Sequence, residues 1–122
     1  MVLPPKGRTG LARILAAIVY SRDGFVAAFK GEAAFRQLVA LYVVLIPLAF
    51  FCPVGRGERA LMIAVCLLSL IVELLNSAIE AVVDRISAER HPLSKNAKDM
   101  GSAAQLVALV MVAAVWAMVL LG

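Results

Sequence analysis

The sequence predicts an all-α integral membrane protein in which an amphipathic surface helix precedes three transmembrane helices. Hydrophobic residues make up 63% of the 122-residue chain, and the mean hydropathy is +0.95, which is too apolar for a soluble domain. Three apolar runs each reach the roughly 20 residues needed to cross about 30 Å of hydrocarbon. The length suits a single membrane domain, residues 1–122.

The elements of this fold follow one another along the chain. Residues 9–29 mix apolar side chains with Arg13, Arg22 and Asp23, which favours a helix lying on the membrane surface. The predicted transmembrane helices are residues 35–54, 60–83 and 102–121, and residues 85–99 form a loop with the adjoining helix ends.

The distribution of basic residues predicts the orientation in the membrane. Six Lys and Arg residues precede or begin the first span, two lie in the first loop and four lie in the second. By the positive-inside rule, the N-terminus and the second loop are cytoplasmic and the C-terminus faces out. The first thirty residues lack a signal-peptide pattern, so we expect the N-terminus to be retained.

An acidic stripe runs along the second predicted span. Glu73, Asn76, Glu80 and Asp84 recur at i, i+3, i+7 and i+11. At about 100° per residue they fall within roughly 80° of one another on the helix. A charged side chain costs about 2.5 to 3.5 kcal/mol at mid-bilayer, so such residues generally mark a pathway or a reaction site.

The depth of the acidic stripe distinguishes a transport pathway from a reaction site. If the hydrocarbon begins near Ala60, Glu73 lies about 9 Å inside the inner edge, Glu80 lies at the interface and Asp84 lies in water. A transport pathway needs polar groups across the whole membrane, yet the outer halves of the spans offer little beyond Ser69. The stripe therefore indicates chemistry on a lipid headgroup at the inner interface.

The side chains expected at this depth indicate phosphoryl transfer. Carboxylates bind Mg²⁺ that bridges substrate phosphates, a partly desolvated Glu suits a general base, and Lys98, Arg13 and Arg90 supply countercharge. The chain contains no GxxxxGK[ST] motif, so a nucleotide site here is built without the usual glycine cradle. Further polar groups at the same expected depth precede or begin the first and third spans: Glu32, Lys98, Asp99 and Ser102.

Three sequence blocks are distinctive: VELLNSAIEAVVDRI at 72–86, EAAFRQ at 32–37 and AKDMGSAA at 97–104. They closely resemble the small prokaryotic diacylglycerol kinases of the Gram-negative type. The resemblance implies a homotrimer in the bacterial inner membrane, with the C-terminus periplasmic and the active sites shared between subunits. It implies transfer of the γ-phosphate of MgATP to diacylglycerol, giving phosphatidic acid. The expected partners are ATP, diacylglycerol and membrane lipids, with Mg²⁺ as cofactor and no nucleic acid.

The resemblance also implies roles for individual residues. Glu73 matches the catalytic base, Asn76 helps to orient it or the transferring group, and Glu32 and Glu80 match the metal-binding carboxylates. The residues expected to bind ATP, with Arg90 added as countercharge, are Arg13, Tyr20, Glu32, Glu80, Glu89, Arg90, His91, Lys98 and Asp99. The residues expected to bind the lipid substrate are Phe35, Arg36, Gln37, Glu73, Ser102 and Trp116.

The residues by themselves are also compatible with two other functions. Related Gram-positive members phosphorylate undecaprenol, and the acidic stripe does not distinguish that substrate from diacylglycerol. A proton-coupled transporter using Glu73 and Glu80 as a relay is the alternative from another class. The near-complete Gram-negative pattern favours diacylglycerol.

Overall fold

The structure is a computed structural model that describes residues 9–86 and 88–122. Within these residues it consists of four helices: α1 (Gly10–Gly31), α2 (Ala33–Phe51), α3 (Arg56–Ile86) and α4 (Pro92–Leu121). The last three are long and apolar enough to cross a membrane. The predicted fold class, all-helical with three candidate spans, is confirmed. α4 begins well before the predicted span at residue 102, so the polar stretch ahead of that span is helical.

Helix α1 forms a compact unit of its own, separate from the unit that begins at Glu32. Its apolar side chains are largely exposed, among them Leu11 and Phe25. The Ser21 hydroxyl donates a 2.8 Å hydrogen bond to the Ala17 carbonyl, one turn earlier in the helix. The position of α1 on a membrane surface stays a prediction.

In the second unit, α3 packs against both α2 and α4. Most of its buried positions recur every three or four residues, so they form one face of the helix. These positions are Met62, Val65, Cys66, Ser69, Glu73 and Asn76. Tyr42 and Ala49 of α2 and Val112 and Trp116 of α4 complete the apolar core. The first two members of the acidic stripe therefore belong to the packing face of α3.

The turn between α2 and α3 is closed by Arg59. Its Nε donates to the Ala49 carbonyl at 3.0 Å, and its Nη2 donates to the carbonyls of Cys52 at 3.0 Å and Val54 at 3.3 Å. The last carbonyls of a helix have no partner within the helix, and the guanidinium supplies donors for them. Arg59 thus anchors the start of α3 to the end of α2.

Candidate active site

Glu73 is the buried carboxylate at the centre of the site. Only 5% of its surface is exposed, and its Oε2 accepts a 2.9 Å hydrogen bond from Nε2 of Gln105 on α4. The Gln105 Nε2 also donates to the Ser69 carbonyl at 3.2 Å, and its Oε1 accepts from the Ser69 hydroxyl at 3.4 Å. A buried carboxylate is costly unless donors compensate it. The α3–α4 interface supplies such a donor at this point.

Asn76 lies one turn beyond Glu73 on the same face of α3. It is buried, and its Oδ1 has no hydrogen-bond partner among residues 9–86 and 88–122. The backbone of α4 approaches it at Gly101, where a Cβ would overlap Oδ1 and lie 3.1 Å from Cγ. The absence of a side chain at Gly101 leaves room for the Asn76 amide, so a buried acceptor stands next to the carboxylate.

Two of the other predicted carboxylates act electrostatically on Glu73. Glu32, immediately before α2, and Glu80 on α3 are half-buried, and the charges of both act on Glu73. Lys98 of α4 makes a 2.7 Å ion pair with Asp84 of α3 and also lies within the field of Glu80. Charged residues from the start of α2, from α3 and from α4 therefore act electrostatically on one another.

An open cleft of about 690 Å³ lies where α3 ends and α4 begins. The His91 Nδ1 accepts a 3.1 Å hydrogen bond from the Leu93 amide and so caps α4, which begins at Pro92. This volume is typical of small-molecule sites, and a helix N-terminus favours anions. The cleft brings together the predicted nucleotide residues of the loop and of α4: Glu89, Arg90, His91, Lys98 and Asp99.

The other predicted site residues belong to α1, to the start of α2 and to α4. Arg13 and Tyr20 are exposed residues of α1. The predicted lipid residues of the α2 start are Phe35, which is buried, and Arg36 and Gln37, which are exposed.

On α4, Ser102 is exposed next to Gly101, whereas Trp116 is buried and its indole N–H donates to the Met62 carbonyl at 3.1 Å. Trp116 lies about 16 Å beyond Gln105 along α4. The structure thus places Trp116 in the apolar core, away from Glu73.

Two residues that contact the site were missed by sequence reasoning. Gln105 contacts Glu73 and Gly101 contacts Asn76, and the two lie one turn apart on the buried face of α4. A signal for Gln105 was available, because it is a lone polar residue in an apolar run, and such residues face the interior of a helix bundle. Gly101 carried no comparable signal, since small residues are common in membrane helices.

Comparison with known proteins decides the family. The profile described as prokaryotic diacylglycerol kinase matches residues 19–120. The chain belongs to this family. It is 75% identical to a protein from Pseudomonas aeruginosa named diacylglycerol kinase, over 98% of this chain and 97% of the relative. Proteins of the same name from Haemophilus influenzae and Escherichia coli K12 are 50% and 47% identical, over 88% and 92% of this chain and 92% of each relative.

The family match includes the whole of α2 and α3 and nearly all of α4. It therefore covers the buried pair of Glu73 and Gln105, the close contact of Gly101 with Asn76, and the cleft. Tyr20 lies inside the matched region, and Arg13 lies before it.

Proposed function

We propose that this chain is a diacylglycerol kinase that transfers the γ-phosphate of ATP to 1,2-diacylglycerol and yields phosphatidic acid. Membership of the prokaryotic diacylglycerol kinase family carries the proposal. The buried Glu73 supports it, because this carboxylate sits in a helix apolar enough to cross a membrane, and acidic residues in such helices generally mark a functional site. The cleft beyond it offers a place for a nucleotide.

In this proposal Glu73 acts as the general base. Its carboxylate takes the proton of the lipid hydroxyl while the hydroxyl oxygen forms a bond to the γ-phosphorus of ATP. The bond from the γ-phosphorus to the bridging oxygen breaks, and ADP leaves with that oxygen. Asn76 orients Glu73 or the transferring group through Nδ2, which can donate to a carboxylate or phosphate oxygen, while its Oδ1 is buried without a partner in the described residues.

Mg²⁺ is the proposed cofactor, with Glu32 and Glu80 as its carboxylate ligands. Within residues 9–86 and 88–122 no group of three or more His, Cys, Asp or Glu side chains is arranged to hold a metal. The carboxylates of Glu32 and Glu80 still fit a magnesium site, because Mg²⁺ is usually bound by one or two carboxylates together with substrate phosphates and water. Bound Mg²⁺ would neutralise charge on the transferring phosphate.

ATP is proposed to bind in the cleft at the start of α4. Lys98 supplies countercharge to the phosphates, and the N-terminus of α4 contributes partial positive charge. The other proposed ATP contacts are Arg13, Tyr20, Glu32, Glu80, Glu89, Arg90, His91 and Asp99. The proposed contacts of the lipid substrate are Phe35, Arg36, Gln37, Glu73, Ser102 and Trp116.

The proposal includes a homotrimer with shared active sites in the bacterial inner membrane. Large apolar side chains of α2, α3 and α4 are exposed in the single chain, and such surfaces suit lipid or partner subunits. The basic residues support a cytoplasmic N-terminus and a periplasmic C-terminus. Chemical cross-linking in detergent micelles tests the trimer, and terminal reporter fusions test the orientation.

The activity is tested by incubating the purified chain in mixed micelles with γ-labelled ATP, Mg²⁺ and one lipid alcohol at a time. We expect label in phosphatidic acid, and we expect EDTA to abolish it and added Mg²⁺ to restore it. Label in undecaprenyl phosphate but not in phosphatidic acid would replace the proposed substrate. Absence of label in any lipid, with Glu73-dependent proton flux in vesicles, would replace the kinase by a transporter.

A further inference from the structure

We propose that Gln105 is a positioning residue for the transfer reaction, which with Ser69 holds one oxygen of the Glu73 carboxylate in place. The inference rests on the proposed function and assigns a role to a residue outside the predicted site. Gln105 is 8% exposed and Ser69 is fully buried, so both lie behind Glu73 in the α3–α4 interface.

The hydrogen bonds determine which way the Gln105 amide points. Nε2 donates to Glu73 Oε2 at 2.9 Å and to the Ser69 carbonyl at 3.2 Å, while Oε1 accepts from the Ser69 hydroxyl. In the reversed orientation, Oε1 would face a carboxylate oxygen and a carbonyl oxygen, which are both acceptors. The amide is therefore locked with Nε2 toward Glu73 and the Ser69 carbonyl.

Packing alone does not account for a glutamine at this position. The buried positions of α4 are Gly101, Gln105, Ala108, Val112 and Trp116. An apolar residue at 105 would fill this row without placing an amide in the interface, where polar groups cost free energy unless they are bonded. The hydrogen bonds of the Gln105 amide run to Glu73 and Ser69, so its polar atoms position the carboxylate.

Holding Oε2 restricts rotation of the carboxylate and leaves Oε1 to receive the substrate proton. Of the two oxygens, the Gln105 amide bonds Oε2. Lys98, at the nucleotide cleft, is about 10 Å from Gln105 along α4. Loss of the Gln105 amide should therefore lower kcat and leave the KM for ATP unchanged.

The first test is Gln105→Met, which keeps the length of the side chain and removes its N–H donors. We expect kcat for diacylglycerol phosphorylation to fall roughly 10-fold or more, at unchanged KM for ATP. Ser69→Ala should cause a smaller loss of kcat, because the bonds from Nε2 remain. Val112→Ala is the packing control: it removes buried apolar volume two turns along α4, so it should lower thermal stability and retain kcat.

The second test is a double-mutant cycle with Glu73→Asp. The shorter carboxylate no longer reaches the Gln105 donor, so Gln105→Met should cause little further loss of kcat in that background. Equal fold losses in both backgrounds would show that Gln105 acts on stability or packing and would overturn the proposal. An unchanged kcat in Gln105→Met would do the same.

A third readout does not depend on turnover. The infrared carboxylate band of Glu73, identified by its loss in Glu73→Gln, should shift in Gln105→Met because a donor to Oε2 is removed. An unshifted band would overturn the role of Gln105. Absence of diacylglycerol phosphorylation by the unsubstituted chain would instead overturn the proposed function, and the band would still decide whether Gln105 holds Glu73.

Discussion

Gly101 of α4 faces the side-chain amide of Asn76 of α3 so closely that a Cβ at position 101 would overlap the Asn76 oxygen. The contact joins two residues that are 25 positions apart in the sequence. It sets how near α4 can lie to the buried face of α3, and hence how near Gln105 comes to Glu73 one turn further along.

Gly101→Ala should therefore displace Asn76 and lower turnover. Alanine favours a helix over glycine by about 1 kcal/mol, but here its methyl group would collide with a buried amide. We expect kcat for lipid phosphorylation to fall about 10-fold or more. Gly57→Ala in α3 is the matched control, because its Cβ would meet nothing within 4 Å. Equal activity of the two variants would contradict a steric role for Gly101.

Glu73→Gln should fold normally and lose most turnover. The substituted amide retains an oxygen that can accept from Gln105, so the interface is preserved, but it does not take a proton from the lipid hydroxyl. A positioned general base contributes about 10² to 10⁴ in rate, and we expect a loss in that range.

The measurement for this variant is phosphate incorporation into diacylglycerol, with thermal unfolding in detergent as the check on folding. Glu58→Gln removes a carboxylate from the first turn of α3, far from the cleft, and serves as control. Turnover equal to that of the unsubstituted chain would remove Glu73 from the role of base.

Lys98→Met should weaken nucleotide binding. Lys98 pairs with Asp84 at 2.7 Å on the wall of the cleft, and it is the proposed countercharge of the ATP phosphates. We expect the KM for ATP to rise about 10-fold, because a charge-assisted contact is lost, with little change in stability, since exposed ion pairs contribute little. Arg56→Met removes an exposed positive charge at the other end of α3 as a control. A rise of the same size in both variants would indicate a general charge effect.

Arg59→Met should lower stability and leave kcat unchanged. The guanidinium supplies three hydrogen bonds to carbonyls at the end of α2 and in the following turn, which its removal would leave without those donors. We expect a loss of about 2 kcal/mol in unfolding free energy, and the same kcat for the folded fraction. Denaturation in detergent micelles measures the unfolding free energy of this variant, with Arg56→Met as the control. An unchanged stability would show that water replaces the lost donors.

The helices could be predicted because they depend on local properties. The length and apolar composition of each run indicate a span, and the spacing of Glu73 and Asn76 places them on one face whatever α3 packs against. The pairing of Glu73 with Gln105 depends on the register between α3 and α4. The spacing of residues within a single helix does not reveal that register. The same holds for the ion pair of Lys98 with Asp84.

The sequence by itself determined the three candidate spans, the acidic stripe and the family, because these follow from composition, periodicity and local motifs. Only the tertiary structure decided which way the stripe faces. Glu73 and Asn76 lie on the buried face of α3, while Asp84 at its end is exposed and paired with Lys98. The physical reason is close packing: a carboxylate can be buried where Gln105 supplies a donor, and an amide can be buried where Gly101 leaves space.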